Sequence, residues 1–285
     1  MILPKGYERA EFPDMALVLK EDAVSRAGDL RDLLRAILDG RKEEWDLDAV
    51  AAGRGTVYIA TLPGVGEIVV RVYRHGGILG GVLGTYFPTC HRFLNELVVT
   101  EAARALGVTR LESVGVACLG TAPGVRGFWI SRRLKGTESL YAYMASRPPG
   151  TTLVARIAFT VARMHEGGIF HADLNIQNIL VTFEGEVPEV SIIDFDKAFR
   201  KPRLGPEARV RQLLRLDRSL LKCLPEDSPW RSPWVRLRFA AAYSKVFPEV
   251  RPAIKHYMRD FEKYVRRYRL GWALQILLGV SKKRP

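Results

Sequence analysis

The stretch that most constrains the fold is FHADLNIQNIL, residues 170–180, which sets His171, Asp173, Asn175, Gln177 and Asn178 in an apolar frame. An unpaired polar group taken out of water costs roughly 2 to 7 kcal/mol, so a fold that buries this frame must give those groups partners. Ile179, Leu180 and Val181 follow at once and suit a strand, and after the turn-like FEGEVPE a second apolar run, Val190, Ile192 and Ile193, ends on Asp194. The order is loop, hairpin, carboxylate. It predicts that Asp173, Asn178 and Asp194 meet at one end of the hairpin, a hard-oxygen cluster of the kind Mg²⁺ prefers together with phosphate oxygens. Transfer of a phosphoryl group asks a protein mainly for positioning and charge neutralisation, with one carboxylate to orient the attacking hydroxyl and accept its proton.

A chain of 285 residues, 47% of them hydrophobic, can bury a large core and suits one bilobal unit or two domains. Residues 23–39 carry Leu30, Leu33, Leu34, Ile37 and Leu38 at helical spacing. Val57–Thr61 and Ile68–Tyr73 alternate as strands around LPGVGE, residues 92–106 return to helical period, 111–120 and 127–133 suit further strands, and 152–166 suits a helix stopped by Gly167 and Gly168. Beyond residue 205 the pattern is nearly all helical. The fold class expected is α+β, with a helical extension over 1–50, a small strand-rich lobe over 51–134, and a larger helical lobe over 135–285 that ends in a basic amphipathic helix. RHGGILGGVLGTYFP, residues 74–88, predicts an irregular apolar loop, since each glycine disfavours a regular interior by about 0.5 to 1 kcal/mol.

HADLNIQN resembles the H-x-D-x-x-x-x-N catalytic loop of the protein-kinase-like superfamily, and DFD at 194–196 resembles its metal-binding DFG element. Upstream, AGRGTVY at 52–58 resembles a shortened Gly-rich loop, IVVR at 68–71 the strand that usually ends in lysine, and Glu96 in RFLNEL the helix glutamate that pairs with that cation. Within the superfamily the chain is similar to the bacterial lipopolysaccharide-core kinases, and most to the 3-deoxy-D-manno-octulosonic acid (Kdo) kinases. GRGTV, VVRVYRHGG, SRRLKG, HADLNIQNIL, IIDFDKAFR and LLRLDRSLLK carry that narrower likeness over roughly residues 50–225. It implies a bilobal protein-kinase-like fold that uses ATP and Mg²⁺ to phosphorylate a Kdo hydroxyl on a lipid A precursor. In the roles so implied, Asp173 is the base, Asn178 and Asp194 hold Mg²⁺, His171 is structural, and Gly53, Arg54, Gly55, Arg71 and Glu96 serve the nucleotide. Arg71 stands where lysine is usual and Asp196 where glycine is usual, and the lipopolysaccharide kinases resemble the chain in both respects. Asp196 is a further candidate ligand. The same fold with a core heptose, another small molecule or a protein as acceptor stays open, as does a pseudokinase that binds nucleotide or lipid.

Charge adds a second theme. Residues 1–50 hold 8 Lys/Arg against 12 Asp/Glu, whereas residues 200–285 hold 22 against 7. A basic field of this kind attracts polyanions. Between 254 and 276 an aromatic and aliphatic stripe that includes Tyr257, Tyr264, Tyr268 and Trp272 runs among Lys255, Arg259, Lys263, Arg266, Arg267 and Arg269. Such a helix either lies on an anionic bilayer or packs its stripe on the helical lobe. No zinc finger, RRM or helix-turn-helix signature accompanies the charge, so nucleic acid is not expected as partner. The N-terminus lacks the features of a secretory signal, and no apolar run approaches membrane-spanning length. Cysteines at 90, 118 and 223, without CxxC, support neither a disulfide framework nor a zinc site and suit a reducing cytosol. The expected place is the cytoplasmic face of the bacterial inner membrane, peripherally bound.

Overall fold

The computed structural model describes residues 2–45, 47–52, 55–75, 84–121, 124–185 and 187–277. The chain divides into two units, Met1–Glu101 with Leu111–Lys135, and Ala102–Arg110 with Gly136–Pro285.

The first unit holds, in chain order, β1 (Tyr7–Glu11), β2 (Met15–Lys20), α1 (Ala27–Asp39), β3 (Asp48–Ala52), β4 (Gly55–Leu62), β5 (Gly66–Val72), β6 (Tyr86–Phe87), most of α2 (His91–Ala105), β7 (Ser113–Thr121) and β8 (Gly124–Arg132). Among the described residues they form one antiparallel sheet in the order β1-β2-β7-β8-β5-β4-β3, with β6 also paired to β8. The period of two in β5 divides its side chains between two faces. Ile68 and Val70 enter the cluster that α1 covers with Leu30, Leu33, Leu34 and Ile37. A second cluster gathers Tyr73, Phe93, Leu97 and Trp129. Each fully buried Leu or Ile contributes about 1.5 to 3 kcal/mol, so α1 is held chiefly by its apolar face. It stops at Gly40, whose φ of 76° gives the left-handed cap.

Two expectations change here. The first 50 residues are more than a helical extension, because β1 and β2 are strands of the sheet and β2 pairs with β7. β2 is buried at Met15, Leu17, Val18 and Leu19, so both its faces are covered and the alternation that marks a strand is erased. Second, Cys90 and Cys118 form a disulfide across 28 residues, with Cα atoms 5.9 Å apart. β7 carries Cys118 to the start of α2, a proximity that spacing along the chain does not reveal.

The second unit holds β9 (Glu138–Ser139), α3 (Leu140–Ser146), α4 (Thr151–Glu166), β10 (Ile169–Phe170), β11 (Ile179–Glu184), β12 (Val187–Ile192), β13 (Phe199–Arg200), α5 (Pro206–Cys223), α6 (Pro233–Val246), α7 (Arg251–Arg259) and α8 (Phe261–Leu277). The predicted hairpin is β11–β12, with β9 on the other side of β11. Helix α4 buries Leu153, Val154, Ile157, Val161, Met164 and His165. His165 Nδ1 lies 2.6 Å from the Tyr243 hydroxyl of α6, and burial pushes its pKa down to about 3.

The basic C-terminal stretch is two helices that part at Asp260. Its aromatic stripe packs inward. Val265 and Trp272 join Leu221 of α5, with Tyr268 against them, and the Arg218 guanidinium lies 5.3 Å from the Tyr268 ring centroid. Lys255, Arg259, Lys263, Arg266, Arg267 and Arg269 stay exposed. Of the glycine-rich loop, residues 76–83 lie outside the described residues, while His75 donates its amide to Gly84 (2.9 Å) and stacks on Phe87.

Candidate active site

The catalytic-loop candidate belongs to the second unit and is built from the backbone outward. Gly168 turns the chain into it at φ +75°, where an added Cβ would lie 1.8 Å from the Lys201 carbonyl oxygen, so no other residue fits without a shift. β10 then pairs with β13, and the Phe170 and Phe199 rings stack with centroids 4.8 Å apart.

His171 is fully buried. Its Nε2 lies 3.0 Å from the Ile193 carbonyl oxygen, and its Nδ1 lies 3.2 Å from the Asp173 amide nitrogen. An amide N–H can only donate, so Nδ1 accepts and Nε2 carries the proton. The imidazole is neutral. Burial pushes its pKa below the ordinary value, against the opposing pull of the Ile193 carbonyl and the Asp194 and Asp173 carboxylates. His171 therefore ties the loop to the residue just before Asp194.

The asparagines hold the loop. Asn175 Nδ2 and Asn178 Nδ2 both donate to the Asp173 carbonyl oxygen at 3.0 Å, and Asn175 Oδ1 accepts from the amides of Gln177 (2.8 Å) and Asn178 (3.1 Å). Ser219 Oγ of α5 accepts from the Ile176 amide at 3.1 Å. The polar side chains thus satisfy backbone groups, and the Asp173 carboxylate is left half-exposed. Among the described residues it meets Arg215 of α5, whose Nη2 donates to Oδ1 at 2.7 Å.

The Ile193 amide donates to the Asn178 carbonyl at 2.9 Å, so Asp194 follows directly on a bond to Asn178. Asp194 adopts φ 63°, a left-handed conformation that costs a non-glycine residue of order 1 to 3 kcal/mol and clusters at functional sites. Phe195 is fully buried and its ring centroid lies 5.1 Å from that of His171, which fixes the turn. Asp196 is half-buried, and the next left-handed residue is Lys197, so the third position of DFD is not where the backbone turns left-handed.

With its Nδ2 committed to the Asp173 carbonyl, Asn178 keeps Oδ1 as a hard oxygen donor, and the backbone bond from Ile193 to Asn178 links it to the segment that carries the Asp194 carboxylate. No group of three or more His, Cys, Asp or Glu able to hold a metal occurs among the described residues. A pair of hard oxygen donors is nevertheless what Mg²⁺ takes from protein when phosphate oxygens and water complete its shell, so this donor set fits Mg²⁺.

In the first unit Arg71 and Glu96 are brought together. Arg71 Nη2 donates to Glu96 Oε1 at 2.6 Å, the Tyr73 hydroxyl donates to Glu96 Oε2, and the Arg71 guanidinium lies 5.0 Å from the Tyr73 ring centroid. Glu96 is only 1% exposed. Gly53 and Arg54 lie outside the described residues, and Gly55 opens β4 opposite Ala52 of β3. Tyr73, Arg215 and Ser219 are among the polar residues that sequence reasoning left unassigned. Tyr73 had a signal, since its place two residues from Arg71 puts both on one face of the strand.

A sheet-built unit, a helical unit and an ordered H-x-D-x-x-x-x-N loop joined to DFD define a kinase of the protein-kinase-like fold, an enzyme that transfers phosphoryl groups. The lipopolysaccharide kinase (Kdo/WaaP) family matches over residues 26–243, and the chain belongs to that family. It is 28% identical over 176 residues to a 3-deoxy-D-manno-octulosonic acid kinase of Vibrio vulnificus, covering 60% of this chain and 72% of that one. To the Xanthomonas campestris pv. campestris enzyme of the same name it is 33% identical over 183 residues, covering 60% and 68%. Among solved structures, WaaP in complex with acyl carrier protein superposes with a TM-score of 0.56 at 20% identity, covering 80% of this chain and 91% of that one, a likeness of fold.

Proposed function

We propose that the protein transfers the γ-phosphoryl group of ATP, with Mg²⁺, to a Kdo hydroxyl of a lipid A precursor. The observation that carries this reading is the Asp173 carboxylate. Its loop is held by Asn175, Asn178 and His171, yet its side chain stays 57% exposed, with Oδ1 accepting from Arg215. In this reading Asp173 orients the acceptor hydroxyl and accepts its proton, and the His171 bonds keep the loop in one conformation. Asn178 and Asp194 hold Mg²⁺, which neutralises phosphate charge when bound. Arg71 binds nucleotide phosphate, with Glu96 and Tyr73 fixing its guanidinium, and Gly53, Arg54 and Gly55 are assigned to nucleotide binding from the sequence motif. Arginine suits planar, bidentate phosphate contacts, so its presence in place of lysine is compatible with turnover. Asp196 is a second, weaker candidate for metal.

Kdo as the acceptor is supported by the names of the relatives. Attachment to the cytoplasmic face of the inner membrane is supported by the exposed cations of α7 and α8, and no helix among the described residues is long and apolar enough to cross a membrane. Purified protein with ATP and Mg²⁺ should add one phosphate to a defined Kdo-lipid acceptor, seen by mass spectrometry, and Asp173→Asn should abolish the product. Failure of the wild-type protein on every Kdo-bearing lipid, with transfer to a core heptose instead, would move the acceptor assignment within the family.

A further inference from the structure

We propose that Arg215 is the acceptor-binding residue, holding the Asp173 carboxylate with one end of its guanidinium and taking the carboxylate of an acid sugar with the other. The inference rests on the function proposed above and adds how the acceptor is recognised. Residues 171–178, HADLNIQN, contain no lysine or arginine, and the side chain that follows Asp173 by two positions, Asn175, is spent on three backbone bonds. Positive charge beside the catalytic carboxylate therefore comes from another element. Helix α5 supplies it. Its buried face carries Leu213, Leu216 and Leu220, while Arg211, Arg215 and Arg218 recur at helical spacing elsewhere on its surface.

The three arginines are not equivalent. Arg211 sits over the Phe170 ring (5.8 Å to the centroid) and Arg218 over Tyr268 (5.3 Å), whereas Arg215 reaches the Asp173 carboxylate at 2.7 Å. A guanidinium presents five donors in a planar fork, and this contact uses one of them. Arg215 is 52% exposed and the Asp173 side chain 57%, so both open to solvent where an acceptor would arrive. A carboxylate bound by that fork would bring a hydroxyl of its own sugar to Asp173, the positioning on which phosphoryl transfer depends. An exposed pair of this kind contributes little to stability, so the fold should survive its loss.

The test uses the full chain and steady-state kinetics with two acceptors, a Kdo-lipid and the same lipid with the Kdo carboxylate reduced to an alcohol. On the native acceptor Arg215→Ala should raise the acceptor KM by about 10- to 100-fold, the worth of a charge-assisted hydrogen bond, with the KM for ATP unchanged and Arg215→Lys recovering part of the loss. The wild-type enzyme should lose a similar factor on the reduced acceptor, and Arg215→Ala should lose little more there. Equal losses for Arg215→Ala on both acceptors, in a variant with unchanged thermal unfolding, would overturn the carboxylate contact and leave the function standing. Absence of wild-type transfer to either acceptor would remove the function itself, and this inference with it.

Discussion

Replacing Arg71 by methionine keeps an apolar stem of similar length and deletes the guanidinium from a nearly buried ion pair. Glu96 is 1% exposed, with Oε1 2.6 Å from Arg71 Nη2 and Oε2 accepting from the Tyr73 hydroxyl. Unit charges ~4 Å apart attract by about 4 kcal/mol at an effective dielectric of about 20. Removing one partner of a buried pair costs about 3 to 5 kcal/mol, because the remaining charge has lost both water and its counter-ion. The Arg71 side chain is 27% exposed, so water screens part of the attraction and the lower end applies, about 3 kcal/mol for Arg71→Met. Glu96→Gln should cost about 2 kcal/mol, since a neutral amide still accepts one bond but no longer holds the cation. The double variant removes both charges and should cost about 2 kcal/mol less than the sum, the coupling expected of side chains in direct contact. Urea unfolding of the four proteins, with peptide-resolved hydrogen exchange over β4, β5 and β8, measures this cycle. A coupling below about 0.5 kcal/mol, the level of a solvent-exposed pair, would refute the burial argument and leave Glu96 without the positioning role given to it here.

Asp194→Asn should lower kcat by about 100-fold or more and weaken nucleotide binding only when Mg²⁺ is present, whereas equal weakening with and without the metal, read by calorimetry, would count against Asp194 as a metal ligand. Burial depresses the pKa values of His165 and His171, so the unfolded chain takes up protons that the folded chain refuses. Stability is then full above the unfolded histidine pKa of about 6.5 and falls below it by about 1.4 kcal/mol per pH unit for each such group, for His165 down to pH about 3. Urea midpoints from pH 8 to 5 should show the fall, and a flat profile would contradict the buried neutral imidazoles. Reduction with dithiothreitol should destabilise the first unit by about 3 kcal/mol, the typical effect of opening a disulfide-closed loop, and thiol counting by mass spectrometry on protein made in a reducing cytosol reports whether the pair forms there.

Local chemistry was the legible part of this chain. Helix α1, strands β4, β5, β7 and β8, and helix α4 follow from apolar spacing, and the asparagine bonds inside the Asp173 loop join residues close in sequence, whereas those of His171 to Ile193 and of Ile176 to Ser219 do not. β1 and β2 escaped because YERAE is polar along most of its length while MALVLK is buried on both faces, so neither shows a clean period of two. The continuous stripe from 254 to 276 hid the break at Asp260, where the Lys263 and Tyr264 amides turn back to the Asp260 carbonyl. Cys90 and Cys118 meet only through the pairing of β7.

Arg215 was illegible for a different reason. It stands 42 residues from Asp173, on a helix whose arginines have the spacing of any solvated face, and nothing local in the sequence separates it from Arg211 or Arg218. A weaker signal was nevertheless present within the loop itself. HADLNIQN offers its carboxylate no cation, although transfer of a highly charged group to a sugar acid calls for positive charge beside the attacking hydroxyl. That deficit could have directed attention to the basic third of the chain as a source of one placed arginine, and not only as a surface for anionic lipid. The two uses differ in what salt does to them. An arginine engaged with a carboxylate at close range keeps most of its effect at 0.15 M ionic strength, where the Debye length is about 8 Å, while a diffuse field from α7 and α8 is largely screened. Raising salt should therefore weaken binding of the protein to anionic vesicles well before it changes the discrimination between carboxylate-bearing and carboxyl-reduced acceptors.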